Sequence, residues 1–373
     1  MSNRPKRVLH VVRAMDRGGV ETWLMHVLRS LDQRRVHMDF LVHTPESGAY
    51  DTEILDSGSR LLRCSAAPWS PGYPIEVGRF LRQPYDVIHS HVHHFSGYLV
   101  ALARRLGVPA RIAHSHNDTS RVDARAGWFR RRYLGLTENR IRADATSLVA
   151  VSRAAARALF GEKWEVDSRS LLLHCGIDLR PFRRHSDRNA VRALWNIGES
   201  ELVIGHVGRF DTQKNHKFLL EIATEAVRRQ PATRLLLVGD GPLRTAAEAQ
   251  AKQAGIKDKV IFAGVRNDAP RLLESMDVLV FPSLWEGLPL TLLEAQAAGL
   301  PCVFSDLISE EVDVIPSLMH RESLSKQACE WAASALAARE LPKPSPAEAL
   351  SRIEQSSFNI SHSMERLYAL YGA

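Results

Sequence analysis

Residues 281–295 read Phe281-Pro282-Ser283-Leu284-Trp285-Glu286-Gly287-Leu288-Pro289-Leu290-Thr291-Leu292-Leu293-Glu294-Ala295. The five residues from Asp277 to Phe281 are a short apolar, β-branched run that reads as a buried strand. The stretch from Leu290 to Ala298 is strong helix former, with Pro289 placed for a first turn. The order is therefore strand, loop, helix, with Glu286 on the loop and Glu294 inside the helix. The amides of Gly287, Leu288 and Leu290 crowd the expected helix N-terminus, where unmade N–H groups and the helix dipole favour an anion such as a diphosphate. Glu294 would lie roughly 5 to 8 Å further along the axis, at about 1.5 Å of rise per residue. That is the distance from a diphosphate to a ribose, whose vicinal diol a carboxylate can hold with two hydrogen bonds. Glu286 would face hydroxyls of a sugar at the other end. A lone pair of glutamates is ordinarily a solvated helix face, so the rest of the chain must decide.

The second half repeats the same alternation. Leu202–Val207, Thr233–Val238 and Val260–Ala263 read as strands, and His216–Gln230 and Arg271–Met276 as helices. After the first of these strands comes Val207-Gly208-Arg209-Phe210-Asp211-Thr212-Gln213-Lys214-Asn215. Arg209 and Lys214 stand at the carboxyl end of a strand, placed to converge on one anion and to neutralise a diphosphate leaving group. Val238-Gly239-Asp240-Gly241-Pro242-Leu243 reads first as a turn, and Phe262-Ala263-Gly264-Val265-Arg266 as the end of a strand.

Strands are likewise expected in the first half at Arg7–Val12, Val36–Val42, Val87–Ser90, Ala110–His114 and Leu148–Val151, with helices at Val20–Leu31 and Leu99–Leu106. Short apolar runs alternating with helices imply a parallel sheet covered on both faces. Two such halves make a two-domain α/β protein with a cleft, the boundary falling in the polar, basic segment near residues 179–200. After the first strand, Asp16-Arg17-Gly18-Gly19-Val20-Glu21 lacks the spaced glycines of a nicotinamide-binding loop. Gly18 and Gly19 still let a phosphate or an acceptor approach the backbone, although a tight turn explains them equally well by position. Histidines cluster in His89-Ser90-His91-Val92-His93-His94 and in His114-Ser115-His116-Asn117-Asp118. Imidazoles at strand ends can bind zinc, but no carboxylate-rich shell accompanies these, and no metal is expected.

At 373 residues with 45% hydrophobic and 24% charged residues, the chain has the length of an intact two-domain globular protein. Cys64, Cys175, Cys302 and Cys329 show no metal spacing and are expected to be reduced and mostly buried. The N-terminus carries an apolar core of only Val8 to Val12, and no stretch approaches about 18 apolar residues, so a cytoplasmic protein is expected. Residues 1–200 hold 31 Lys and Arg against 20 Asp and Glu, and residues 201–373 hold 18 against 22. The densest basic stretch, Arg121 to Arg142, interleaves Arg121, Arg125, Arg130, Arg131, Arg132, Arg140 and Arg142 with Trp128, Phe129, Tyr133 and Leu134. That pairing suits an anionic lipid surface. A nucleic-acid partner is not expected, since no recognition motif accompanies it, and a plain solvated face is the competing reading.

Taken together, the Glu286–Glu294 loop, the Arg209–Lys214 pair, the Gly239–Gly241 turn and the Gly18–Gly19 loop resemble the retaining glycosyltransferases of family 4, which have the GT-B fold. The resemblance covers most of the chain and is most specific over residues 205–300. It implies an α/β GT-B architecture: residues 1–180 an acceptor-binding Rossmann-like domain, 181–355 a nucleotide-sugar domain, and 356–373 a helix crossing back to the first. It implies transfer of a hexosyl group from a nucleoside diphosphate sugar, expected to be UDP-linked, to a hydroxyl of a glycan or lipid-linked glycan in surface polysaccharide assembly. Catalysis would fall to His116, Glu286, Arg209 and Lys214. Donor binding would engage Gly18, Gly19, Arg209, Lys214, Gly239, Val265, Glu286, Gly287, Leu288, Pro289, Leu290 and Glu294, with the acceptor at His91 and Asn117. No Asp-x-Asp run is present to hold a metal, so helix amides and the basic pair would take its electrostatic place, and no cofactor is expected. A nucleotide-sugar 2-epimerase and a non-catalytic nucleotide-sugar sensor share the fold and remain alternatives.

Overall fold

A computed structural model describes residues 4–120, 123, 126–184 and 187–373. Arg121 and Arg125 of the basic stretch, and the first three residues, lie outside them. The polypeptide forms two compact units, Met1–Gly176 with Ile360–Ala373, and Ile177–Asn359.

The first unit runs β1 (Lys6–Val12), α1 (Gly19–Arg29), β2 (Val36–Val42), α2 (Asp51–Asp56), β3 (Leu61–Arg63), α3 (Gly72–Leu81), β4 (Val87–Ser90), α4 (Ser96–Arg105), β5 (Ala110–Ser115), α5 (Trp128–Asp144), β6 (Ser147–Ala150), α6 (Arg153–Phe160) and β7 (Ser170–Leu172). The seven strands form a parallel sheet in the order 3-2-1-4-5-6-7. In β1 the residues from Val8 to Val12 are all buried, because helices cover both faces of a parallel sheet and every position faces a core. β1 pairs with β2 and with β4, and it is here that the strand order reverses. The chain's last helix, Ile360–Tyr371, returns to this unit and buries Met364, Leu367, Tyr368 and Tyr371 on one face.

The second unit runs α7 (Arg188–Ala193), β8 (Leu202–Val207), α8 (His216–Arg229), β9 (Thr233–Val238), α9 (Arg244–Gln253), β10 (Val260–Gly264), α10 (Ala269–Ser275), β11 (Val278–Phe281), α11 (Leu290–Ala297), β12 (Cys302–Ser305), β13 (Met319–Glu322), α12 (Ala328–Ala338) and α13 (Pro346–Gln355). Its six strands are parallel in the order 10-9-8-11-12-13. The reversal falls between β8 and β11, and ligands of open α/β sheets bind beyond the carboxyl ends of strands at such a point. The loops leaving β8 and β11 there are those carrying Arg209 to Lys214 and Pro282 to Pro289. Asp277, just before β11, anchors the opposite end. It accepts hydrogen bonds from Arg192 at 2.7 Å and from the Val203 amide at 2.7 Å.

All four cysteines are free thiols, three of them buried. Among the described residues no helix is long and apolar enough to cross a membrane.

Candidate functional site

In the second unit two loops are tied together around one carboxylate. The Lys214 ammonium lies 2.6 Å from Glu286 Oε1, and Gln213 Nε2 donates to Glu286 Oε2 at 3.0 Å and to the Trp285 carbonyl at 2.8 Å. The Leu284 amide donates back to the Gln213 carbonyl at 2.8 Å. Both side chains of the ion pair are largely shielded, Lys214 at 16% and Glu286 at 7% exposure, and the ammonium also sits 4.6 Å from the centre of the Phe281 ring. Asn215 caps α8 in a left-handed conformation (φ 54°), which asparagine tolerates better than most residues. Its side-chain amide donates to the Pro282 carbonyl at 3.3 Å. Each carboxylate oxygen keeps further lone-pair capacity, so Glu286 can still accept from ligand hydroxyls. Gln213 was given no role by the sequence. Its position beside Lys214 carries no signal until the two loops are seen to meet.

Arg209 is exposed and makes no ion pair with another described residue. The backbone under it is fixed by the glycine turn. Gly239 has φ 137°, and a Cβ there would lie 2.1 Å from the Gly208 carbonyl oxygen; at Gly241 (φ 158°) one would lie 2.6 Å from that of Phe210. Phe210 N–H donates to the Asp240 carbonyl at 3.0 Å, and Gly208 N–H to that of Val238 at 2.9 Å. These glycines therefore let two loops pack backbone to backbone, and position Arg209 through that contact. Val265 follows β10 and is half exposed.

Pro289 is the cap residue of α11 rather than its first helical residue, and the helix ends at Ala297. The amides of Gly287, Leu288 and Leu290 donate to no backbone carbonyl in the turns around this cap. Glu294, one turn into the helix, is partly buried. Burial alone pushes its carboxyl up to about 7, because no cation compensates the lost hydration.

In the first unit Gly18 caps α1 in an extended conformation. Neither it nor Gly19 has a positive φ, and nothing lies within 4 Å of a Cβ built at Gly19. No local strain demands a glycine at 19. Asn117 is exposed beyond β5.

Histidines of the first unit form a buried cluster. His91 is 9% exposed, and its Nε2 stands 2.9 Å from His10 Nδ1 while its Nδ1 stands 2.8 Å from His116 Nε2. Both ring nitrogens of His91 therefore have partners inside the unit. His116 is 8% exposed and its Nδ1 has only a long contact, 3.9 Å, to Cys175 Sγ. His89 and His114 share a hydrogen bond at 3.1 Å, and His89 Nδ1 meets the Tyr371 hydroxyl at 2.8 Å. Burial drives the pKa of His10 and of His116 down to about 3 and those of His89, His91 and His114 well below the ordinary value. All five rings are therefore neutral near pH 7. Two trios, His10–His89–His91 and His91–His114–His116, hold ring nitrogens within 4.8 Å of one another. The bonded nitrogens are closer than the edge of about 3.3 Å that Zn–N distances of 2.0–2.1 Å impose on a tetrahedron, and neither trio includes a carboxylate.

Two family models match this chain: Glycosyl transferases group 1 over residues 201–332, and the Glycosyl transferase 4-like domain over residues 18–175. EpsF of Bacillus subtilis (strain 168), provisionally named as a glycosyltransferase, is 36% identical over 378 residues, covering 100% of this chain and 97% of that one. The UDP-Gal:alpha-D-GlcNAc-diphosphoundecaprenol alpha-1,3-galactosyltransferase of Escherichia coli is 28% identical over 235 residues, 61% of this chain and 59% of its own. Among solved structures, Anabaena Alr3699/HepE in complex with UDP-glucose superposes with a TM-score of 0.77 at 16% identity, covering 98% of this chain and 99% of that one. The likeness in structure supports the GT-B fold for the two parallel-sheet domains.

Proposed function

This chain belongs to the group 1 glycosyltransferases, and we propose from that premise that it moves a hexosyl group, with retention of configuration, from a UDP-sugar to a hydroxyl of a lipid-linked glycan. The observation that carries the reading is the pairing of Lys214 with Glu286 at the mouth of β8 and β11, one loop from the open amides of α11 and from Glu294. In this reading the amides of Gly287, Leu288 and Leu290, with Arg209 and Lys214, hold the diphosphate without a metal. Glu294 holds the ribose, backbone groups near Val265 the base, and Glu286 the sugar hydroxyls. The acceptor oxygen bonds to C1 as the C1–O bond to phosphate breaks, on the same face, and the acceptor's proton passes to the departing phosphate. Gly19 leaves backbone open to the donor, and His116 stabilises the reacting sugar through Nδ1, its one loosely held nitrogen. Asn117 faces the acceptor.

Glu294→Gln tests the donor site in calorimetric titrations with UDP, GDP and ADP. A glutamine offers one acceptor oxygen in place of two and carries no charge, so binding of the preferred nucleotide is expected to weaken at least tenfold. The same change should stabilise the empty protein at pH 8. The raised carboxyl opposes folding as pH rises from the usual 4.5 to about 7 and fully above it, by up to roughly 3 kcal/mol at 1.36 kcal/mol per unit. Undiminished nucleotide binding would remove Glu294 from the site.

The lipid-linked acceptor is supported by α5. Phe129, Tyr133 and Leu136 recur at spacings of four and three on one helix face, exposed by 82%, 46% and 57%, beside Trp128 and the arginines of that helix. The Escherichia coli relative acts on a diphosphoundecaprenol-linked sugar, an acceptor that resides at a membrane. Aromatic and basic residues together dock on anionic lipid, so the protein should float with phosphatidylglycerol vesicles at low salt, and Phe129→Ser with Tyr133→Ser should abolish it. Absence of flotation for the unaltered protein would leave a soluble acceptor.

A further inference from the structure

Seven groups in the first unit form one unbranched chain of contacts: Cys175, His116, His91, His10, Tyr371, His89 and His114. Along it the polar atoms stand 3.9, 2.8, 2.9, 3.5, 2.8 and 3.1 Å apart. The five histidines are buried, three of them with no exposed surface, and each neutral imidazole has one N–H donor and one bare acceptor nitrogen.

The order of ring atoms along this chain has a strict consequence. Contacts leave His116 and His91 by Nε2 and Nδ1 in alternation, so a proton on His116 Nε2 requires His91 Nδ1 to be bare. That puts the His91 proton on Nε2, which in turn needs His10 Nδ1 bare and its proton on Nε2. The Tyr371 hydroxyl accepts from His10, donates to His89 Nδ1, and the pattern continues to His114. In the reverse sense every proton sits on Nδ1. Two lone pairs, or two N–H groups, facing at 2.8–3.1 Å would be repulsive and leave buried groups unmade, at a cost of a few kcal/mol each.

We propose that these side chains act as a single tautomer relay in which Tyr371, on the last helix, couples the nitrogen that carries the His116 proton to the tautomers of His89 and His114. Tyr371, His10, His89, His91 and His114 are positioning residues; only His116 is read as meeting the sugar, so the catalytic consequence rests on the function proposed above. Tyr371 is the coupling element because it alone carries one hydroxyl proton between two imidazole sets, His10–His91–His116 and His89–His114. The end of the relay at Cys175 is a long sulfur contact and leaves His116 Nδ1 free to answer a ligand. At the other end His114 Nε2 has no partner.

Nitrogen-15 NMR of the full chain labelled at histidine, with resonances assigned by single His→Gln variants, reads each ring as protonated at Nδ1 or Nε2. The relay requires all five histidines to share one tautomer at pH 7. Opposite tautomers within either set, or between the two sets, would overturn it, and this measurement needs no altered protein at Tyr371. In Tyr371→Phe, which keeps the buried ring, the two sets should cease to match, or each should divide between both tautomers. Five unchanged, single tautomers in that folded variant would also overturn the proposal. Turnover by Tyr371→Phe should fall severalfold with the donor KM unchanged. The tautomer result stands apart from transfer. A protein that shows the shared tautomer and transfers no sugar loses the function proposed above and keeps the relay, whereas mixed tautomers in an active enzyme do the opposite.

Discussion

Lys214→Ala is expected to lower turnover at least tenfold, and by about a hundredfold if its ammonium meets the charge that develops on the departing diphosphate, since removal of one such stabiliser costs a few kcal/mol in the transition state. The ligand-free protein gives Lys214 a second task, as counter-ion to Glu286 at 2.6 Å. Removing one partner of a shielded pair leaves the other uncompensated and destabilises by roughly 3–5 kcal/mol in fully buried cases. A loss of turnover alone would not separate the two tasks. Glu286 in the single variant would keep only Gln213 as a partner, so the Lys214→Ala, Glu286→Gln double variant removes the stranded charge. Its stability, followed by denaturant unfolding, should recover most of what the single variant lost. Turnover should not recover, because the diphosphate still lacks its cation and the sugar its carboxylate. Near-normal turnover in either variant would remove Lys214 from the chemistry.

A large loss of stability between pH 6.5 and pH 5 is the second expected result. His10, His89, His91, His114 and His116 resist protonation in the folded unit, with His10 and His116 down to about 3, whereas in the unfolded chain each protonates near the usual 6.5. Above 6.5 both states hold neutral rings and the histidines contribute nothing to the pH dependence. Below it the unfolded chain binds more protons, so stability falls with pH until the folded values are reached. At pH 5 His10 and His116, both down to about 3, each cost about 2 kcal/mol at 1.36 kcal/mol per unit, and His89, His91 and His114 add to the loss in the same direction, together a large part of the whole stability of a typical domain. Urea unfolding midpoints at pH 7 and pH 5 should therefore differ widely for the first unit, followed through Trp23, which packs against His91, His114 and His116. Midpoints that agree at the two pH values would mean that the cluster admits protons while folded.

Much of the architecture was legible because parallel strands buried on both faces are written as unbroken apolar runs. Val36–Val42 and Leu202–Val207 appear with the expected bounds, and the run before Glu286 is the strand Val278–Phe281. The three-residue strands Leu61–Arg63 and Ser170–Leu172 were missed. They sit at the sheet edges and are only partly buried, so neither length nor hydrophobicity marks them. The helix Arg244–Gln253 was missed as well, being alanine-rich with few large apolar side chains to show a period. At the site, residue types were readable and partnerships were not. Lys214 and Glu286 lie 72 positions apart, and His10 and His91 lie 81 apart. His10 itself gave a signal that went unused: a histidine inside the apolar run of β1 has no solvent-facing side to occupy. Tyr371 gave none, since an aromatic near the end of an amphipathic helix reads as ordinary packing.

The most direct measurement is nucleoside diphosphate release by the purified protein from UDP-, GDP- and ADP-sugars, with and without a diphosphoundecaprenol-linked sugar as acceptor. The expected result is release from one UDP-sugar that rises when acceptor is added, with the sugar recovered on the acceptor in the anomeric configuration of the donor. Tight nucleotide binding with no release from any donor, or recovery of an epimerised free nucleotide-sugar in place of a glycosylated acceptor, would contradict it.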